Sequence, residues 1–502
     1  MKNKRWLCSA LAALLLLASC SSGSGNDTGD AGSTGNAGNA GTTDQTADAG
    51  TAEETEPETE PETEDPATVF DLEVKNYDGK TVGILGTNWY NIASNWTSPE
   101  LKVTELTGEA MNDAVYNRNQ NIQSKYNVKL EVTDGGAYLD APITAEVVAG
   151  TNAYDIAFPR ISEMNSVASS GGAYDMNKIE SLDLSKAWWS QFARESLTVH
   201  DAILFISGDM NFMDKWTAVC MFFNKNVASS YNITANELYD LVDEGKWTID
   251  KFSEYTNAVT NDSNGDGTLD QKDTWGCTAN VSYLGNFLHA WDDPYTTVVD
   301  GELTFTLNNE KTYAAIDRII SVMNNNVIYA GSWDVAEPVF TDGRALFFIE
   351  VTQKLANFRT LEYDFGVLPM VKYDEAQSDY RTTCATLAQM ICVPKTAADK
   401  EFAGYMLQAM GYESSLTIAP AYIENALESK FARDERTADQ LGYIFRGMTY
   451  DIGYQNAMGG VSGMIDSMIS ARENTASSKF AAVTKALTKQ LEKVNTAYAN
   501  AE

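Results

Sequence analysis

The chain is poor in the residues that most catalytic and metal centres draw on. Only two of its 502 residues are histidine, His200 and His289, so a histidine-based triad or a histidine-rich metal cluster has almost no material. HExxH, GxSxG, Walker-type and GxGxxG motifs do not occur. The six cysteines form no CxxC pair, which excludes a zinc ribbon; Cys220, Cys277, Cys384 and Cys392 read as buried free thiols rather than a disulfide framework. Positive charge is scarce as well, with 36 Lys and Arg against 70 Asp and Glu. Beyond the first twenty residues no apolar run is long enough to span a bilayer. Paired carboxylates, all that a glycosidase needs, are not excluded by so acidic a composition.

What is present begins with a leader. Lys2, Lys4 and Arg5 precede an apolar stretch at 6–17 that is too short for a membrane span and reads as a signal peptide, residues 1–20. The stretch closes on Leu17, Ala18, Ser19 and Cys20, which resembles a bacterial lipobox. That resemblance implies a diacylglyceryl group on the Cys20 thiol and an anchor on the outer face of the cell membrane. Residues 21–66 contain no aromatic residue, Lys or Arg, and cannot build a core; they read as a disordered acidic tether with a mean span of roughly 40 Å. Removing the three positive charges of the leader and the twelve negative ones of the tether from the total of −34 leaves −25 on residues 67–502. Such a body repels nucleic acid and suits neutral or cationic partners.

Those roughly 435 residues exceed what one core comfortably holds and suit two lobes. Thr81, Val82 and Ile84 belong to a buried strand. Met111, Val115, Ile122 and Tyr126 share a helical face, and Val128, Leu130 and Val132 alternate as a strand does. Short β-forming runs at 202–206, 218–223, 345–349 and 390–393 alternate with helical patterns, and the last fifth is mostly helical, with Phe480, Val483, Leu487, Leu491 and Val494 on one stripe. The alternation predicts an α/β protein with mainly parallel sheets covered on both faces.

One local motif carries metal chemistry. In the twelve residues 262–273, DSNGDGTLDQKD, oxygen donors fall at the first, third, fifth, ninth and twelfth positions and a glycine at the sixth, which is the spacing of an EF-hand calcium loop. Asp262, Asn264 and Asp266 would give side-chain oxygens and Thr268 its carbonyl. Asp270 would bind directly or through water, and Asp273 would give the last carboxylate, one methylene shorter than the usual Glu. The expected role of calcium there is structural.

Six further segments are similar to the extracellular solute-binding proteins of ABC importers, family 1: GTNAYDIAF at 150–158, FFNKNV at 222–227, GKWTIDKF at 245–252, DTWG at 273–276, FTDGRALFFIE at 340–350 and DFGVLPM at 364–370. Together with the lipobox and tether they cover most of the mature chain, and alginate-binding members of the wider group carry a similar calcium loop. The resemblance implies a two-lobed, periplasmic-binding-protein-like clamp with a hinge and a helical C-terminal part. Lobe one would hold 67–215 and 365–412, and lobe two 216–364 and 413–502, with crossings near 213–217, near 363–366 and after Met410. It further implies a monomeric receptor, not an enzyme, that passes its solute to ABC permease subunits; a surface polysaccharide-active enzyme using paired carboxylates is the alternative.

Sugar hydroxyls pair with Asp, Glu, Asn and Arg, while ring C–H faces stack on flat aromatics. With 10 Trp and 24 Tyr in the chain, a carbohydrate is the expected solute. The cleft candidates are Asn88, Trp89, Arg160, Asp209, Asn211, Trp216, Trp291, Asp292, Trp333 and Glu350. Trp188, Trp189 and Trp247 lie at helix starts and are assigned to packing.

Overall fold

Strand β1 (Lys80–Gly86), helix α1 (Ala110–Tyr126), strand β2 (Val128–Asp134), helix α2 (Asp140–Ala149) and strand β3 (Ile156–Ala157) open the folded part as a β-α-β-α-β unit. The computed structural model describes residues 65–87, 101–428 and 436–502; the leader, Cys20, the tether, Asn88 and Trp89 lie outside them. β1 sits between β2 and β3 and is parallel to both, with Lys80 opposite Val128 and Ile84 opposite Ile156. α1 buries Met111, Val115, Ile122 and Tyr126, spaced so that each returns to the same face. The Glu109 carboxylate caps its first turn by accepting the Asn112 N–H at 2.7 Å. The helix stops at Asn127, left-handed at φ 49°, a conformation that asparagine tolerates.

The second sheet is larger and mixed. The short helix α3 (Met213–Trp216) leads into β4 (Val219–Asn224), followed by β5 (Trp275–Asn280), the hairpin β6 (Thr296–Val299) and β7 (Glu302–Phe305), then β8 (Ile328–Gly331), helix α4 (Trp333–Thr341), β9 (Ala345–Val351) and β10 (Phe365–Leu368). The strand order is β10-β4-β9-β5-β8. β5 runs parallel to β8 and β9, and β4 runs antiparallel to β9 and β10. Every residue of β9, ALFFIEV, is buried, as expected of a strand covered on both faces. Phe347 packs on Trp247 with ring centroids 5.5 Å apart and Phe348 on Phe340 at 5.3 Å. Burial of each such ring contributes about 2–3 kcal/mol.

Where the chain passes between the sheets, two segments run side by side. Ala385 donates its N–H to Thr217 at 2.9 Å, and Ala218 bridges Cys384. The return to the first sheet does not begin at residue 365, as the sequence pattern suggested, because β10 still pairs with β4 in the second sheet. It comes with 384–394, whose residues bridge Ala157, Arg160, Ala173 and Ile206. The passage expected after Met410 also falls later. Helix α5 (Lys400–Glu428) continues and packs along α1, and α6 (Arg436–Arg446) then packs on β10.

The predicted strands at 202–206 and 390–393 are extended and fully buried, but they pair through single bridges rather than ladders. The helical C-terminal part ends in α7 (Val461–Ala471) and α8 (Ala476–Ala499). α8 buries Phe480, Leu487, Leu491 and Val494 of its predicted stripe, while Val483 is only half-buried. Cys220, Cys277, Cys384 and Cys392 are buried free thiols, and Trp188, Trp189 and Trp247 are core residues. No helix among the described residues is long and apolar enough to cross a membrane.

Candidate functional site

In open α/β sheets, ligands bind beyond the carboxyl ends of the parallel strands, where the connecting loops diverge. Both sheets place an exposed aromatic there. Tyr138 is 60 % and Trp333 49 % exposed, and they are the two exposed large aromatics among the described residues. Tyr138 follows β2 after Gly135 and Gly136, the latter left-handed at φ 88°. Trp333 follows β8 as the first residue of α4.

Each aromatic rests on a buried charge. The Arg160 guanidinium, beyond β3, lies 4.1 Å from the Tyr138 ring centre, within cation–π range. Burial lowers its pKa, and contact with Tyr138 partly offsets that. The buried Glu163 carboxylate joins the two loops, accepting N–H groups from Leu139 at 2.7 Å and Arg160 at 2.8 Å. On the other sheet the Trp333 indole donates its Nε1–H to Glu350 Oε2 at 2.9 Å. Glu350 stands one residue before the end of β9 and is 1 % exposed. Burial raises its pKa, while the Val351 N–H, the Lys354 charge and bonds from Tyr283 and Trp333 act in the opposite direction.

A run of direct contacts joins these two mounts through α3. Gln389 bridges Arg160, and its carbonyl accepts the Asn211 side-chain amide. Asn211 Oδ1 accepts the Met213 N–H at 3.1 Å. Asp214 accepts the Ser207 and Tyr450 hydroxyls at 2.5 and 2.6 Å. The carbonyl of Lys215 receives the Thr352 hydroxyl, and that of Trp216 receives the Gln353 N–H at 2.8 Å, three residues beyond Glu350. Asp209, half-buried at the start of this segment, has its pKa pushed up to about 6 by burial and by Asp214, with Lys215 opposing.

The structure therefore brings together Arg160, Asp209, Asn211, Trp216, Trp333 and Glu350, but not all as ligand contacts. Asn211 is fully buried and spends its side chain inside the protein. Trp216 is half-buried against Phe212, with ring centroids 5.1 Å apart. Trp291 is 2 % exposed and packs between Phe287 and Tyr373, so its expected stacking on solute is corrected to core packing. Asp292 is an exposed turn residue, left-handed at φ 54°, whose carbonyl accepts from Lys311. Sequence reasoning missed Tyr138, Tyr283 and the Glu337–Lys354 ion pair, 2.7 Å long, beside Trp333. An aromatic two residues after a glycine pair at a strand end was the available signal for Tyr138.

The Asp-rich loop is closed by mutual hydrogen bonds between Asn261 and Thr274. Asp262 accepts the Gly265 and Gly267 N–H groups at 2.7 Å, Asp266 that of Thr268, and Asp273 those of Ser263 and Asp270. Gly267 is left-handed at φ 83°, as a sharp turn at that position requires. Backbone bonds lower the Asp273 pKa. Among the described residues, no three carboxylate, imidazole or thiol groups stand close enough as placed to hold a metal ion. The donor set itself is oxygen only, the set a hard cation takes.

No protein-family model matches the chain, and no curated protein matches it in sequence. Solved structures do match in fold. A cyclo/maltodextrin-binding protein complexed with maltotetraose gives a TM-score of 0.57 at 12% identity, covering 82% of this chain and 98% of its own. An ABC substrate-binding protein from Listeria monocytogenes in complex with cycloalternan gives 0.51 at 14%, covering 83% and 98%. A solute-binding protein of an ABC transporter from Thermotoga lettingae, bound with alpha-D-tagatose, gives 0.51 at 12%, covering 82% and 100%. The chain thus has the two-lobed, periplasmic-binding-protein-like α/β fold over most of its length.

Proposed function

We propose that this chain is an extracellular receptor that binds a sugar or oligosaccharide between its two lobes and delivers it to an ABC importer. One observation carries the reading: the two exposed large aromatics among the described residues stand at the carboxyl ends of the two sheets, each on a buried charge, Tyr138 on Arg160 and Trp333 on Glu350. Flat aromatics flanked by polar groups are what pyranose rings require. The similar folds belong to proteins that bind cycloalternan, maltotetraose and tagatose. We read the chain as a binding protein rather than an enzyme, in keeping with those neighbours.

The paired segments at Thr217 and Ala385 suit a hinge, and closure over the solute would present one shape to the permease subunits. We further propose that Cys20 carries the lipid anchor on the outer face of the cell membrane and that the acidic tether keeps a monomeric receptor near its permease. Calcium in the loop formed by Asp262, Asn264, Asp266, Thr268, Asp270 and Asp273 would be structural; its spacing and oxygen-only donors support that assignment.

The test is thermal unfolding of the purified chain with a saccharide panel, together with chromatography of the sugars. The expected outcome is a rise in stability of about 2.7 kcal/mol at a hundredfold excess over Kd, with the sugar recovered intact. Cleaved sugar would replace this reading with the polysaccharide-active enzyme. Adding a calcium chelator should lower the midpoint by a few degrees if the loop is loaded, and a midpoint indifferent to chelator and to added calcium would remove the metal.

A further inference from the structure

Trp333 is half in solvent, yet its ring is not free to turn. The indole N–H is directed into the protein at Glu350 Oε2, 2.9 Å away, and the ring meets Tyr283 edge-on, with centroids 5.9 Å apart and planes at 86°. Glu350 is fully engaged beneath it. Its Oε1 accepts the Val351 N–H at 3.0 Å, and the Tyr283 hydroxyl supplies a further bond. Lys354, whose charge acts on Glu350, is itself paired with Glu337, one helical turn after Trp333 on α4.

A carboxylate that is 1 % exposed and holds three donors offers no open face to an incoming ammonium or guanidinium group. What reaches solvent is the Trp333 side chain, with the Lys354–Glu337 ion pair nearby, whose nitrogen and oxygen can serve hydroxyls. A quaternary ammonium would need a cage of several aromatic faces, whereas Trp333 is the single exposed large aromatic of the described residues on this sheet.

Building on the receptor reading, we propose that Glu350 is a positioning residue that fixes the Trp333 indole as a rigid platform for the apolar face of an uncharged sugar ring. Glu350 thus acts on affinity through Trp333, not by touching the solute. Preorganisation of this kind lowers the ordering cost that a free side chain would bear on binding.

Two measurements on the full chain test it. In a nitrogen-15 correlation spectrum, the indole N–H of Trp333 is identified by its loss in Trp333→Phe; Glu350→Gln should leave it slowly exchanging, and Glu350→Ala should shift it and speed its exchange. An indole signal unmoved by Glu350→Ala overturns the tether, with no ligand needed. Affinity is then measured with maltotetraose, cycloalternan and tagatose as uncharged probes and putrescine and choline as cationic ones. For whichever saccharide binds, Trp333→Ala should weaken binding about 30-fold and Glu350→Ala about 10-fold, with Glu350→Gln within about 3-fold of the parent chain.

In the Trp333→Phe background, Glu350→Ala should cost little more, because the phenyl ring has no N–H to hold. Additive losses in that cycle would mean that Glu350 acts on its own, and the proposal fails while the receptor reading stands. Tightest binding of putrescine or choline overturns the uncharged-ligand assignment. Trp333→Phe is a change at an exposed position and keeps the test open should Glu350→Ala unfold.

Discussion

The two sheets mount their exposed aromatics in opposite ways. Tyr138 stands on a loop after two glycines and lies over the Arg160 guanidinium, with which it also shares a side-chain hydrogen bond. Trp333 starts a helix and is tied to an anion through a directional N–H bond near 2.9 Å. The first ring is carried by a loop and the second by a helix. On the proposed receptor reading, the helix-borne ring fixes where a sugar binds and the loop-borne ring accommodates what is attached to it.

The largest effects should come from removing the charges beneath the rings. Glu350→Ala strands the Val351 and Trp333 N–H groups and the Tyr283 hydroxyl in a buried place, a loss of about 3 kcal/mol in urea unfolding. Arg160→Met keeps most of the stem volume and removes only the guanidinium, so its loss should be nearer 1–2 kcal/mol. Equal losses, or a larger one at Arg160, would break the contrast between the helix-borne and the loop-borne mount.

Next come the rings themselves. Loss of Trp333 should weaken saccharide binding about 30-fold and Tyr138→Ala about 5-fold, as titration calorimetry would measure. The unfolding midpoint should barely change for Tyr138→Ala, whose ring is exposed, and fall modestly for Trp333→Ala, which takes a donor from the buried Glu350 carboxylate. A Tyr138→Ala effect as large as that at Trp333 would make the two mounts equivalent.

Much of this scaffold was legible from residue periodicity. Met111, Val115, Ile122 and Tyr126 placed α1, and the apolar run 345–349 placed β9, because burial on one stripe or on both faces leaves a local imprint. The segments 202–206 and 390–393 were read as strands of a ladder, but their pairing depends on partners far away in the chain, which no local pattern encodes. The same holds for β10, apolar like any strand yet joined to the second sheet rather than the first. At the site, Trp333 and Glu350 were each candidates, while the bond between them is a tertiary fact. Trp291 and Asn211 had suitable composition and inward orientation, and composition does not report orientation.

The smallest effects concern two half-buried carboxylates, Asp209 between the two mounts and Asp466 in the helical C-terminal part. Burial pushes Asp466, on α7, up to about 7, and burial with Asp214 pushes Asp209 up to about 6. A carboxyl whose folded pKa lies above its ordinary value of 3.8 holds a proton in the folded state that the unfolded chain has released. Stability therefore falls as pH rises from about 4 to the folded pKa and stays low above it. Asp466→Asn should remove that loss and stabilise the chain by about 1 kcal/mol at pH 8, with no gain near pH 4. Asp209→Asn should give a smaller gain that is complete by about pH 6.5. Because Asp209 lies on the segment linking the two mounts, its substitution should also flatten any change in saccharide affinity between pH 5 and pH 7, whereas Asp466→Asn should not. Affinity that tracks Asp466 instead would place the pH-sensitive element in the helical C-terminal part, away from both rings.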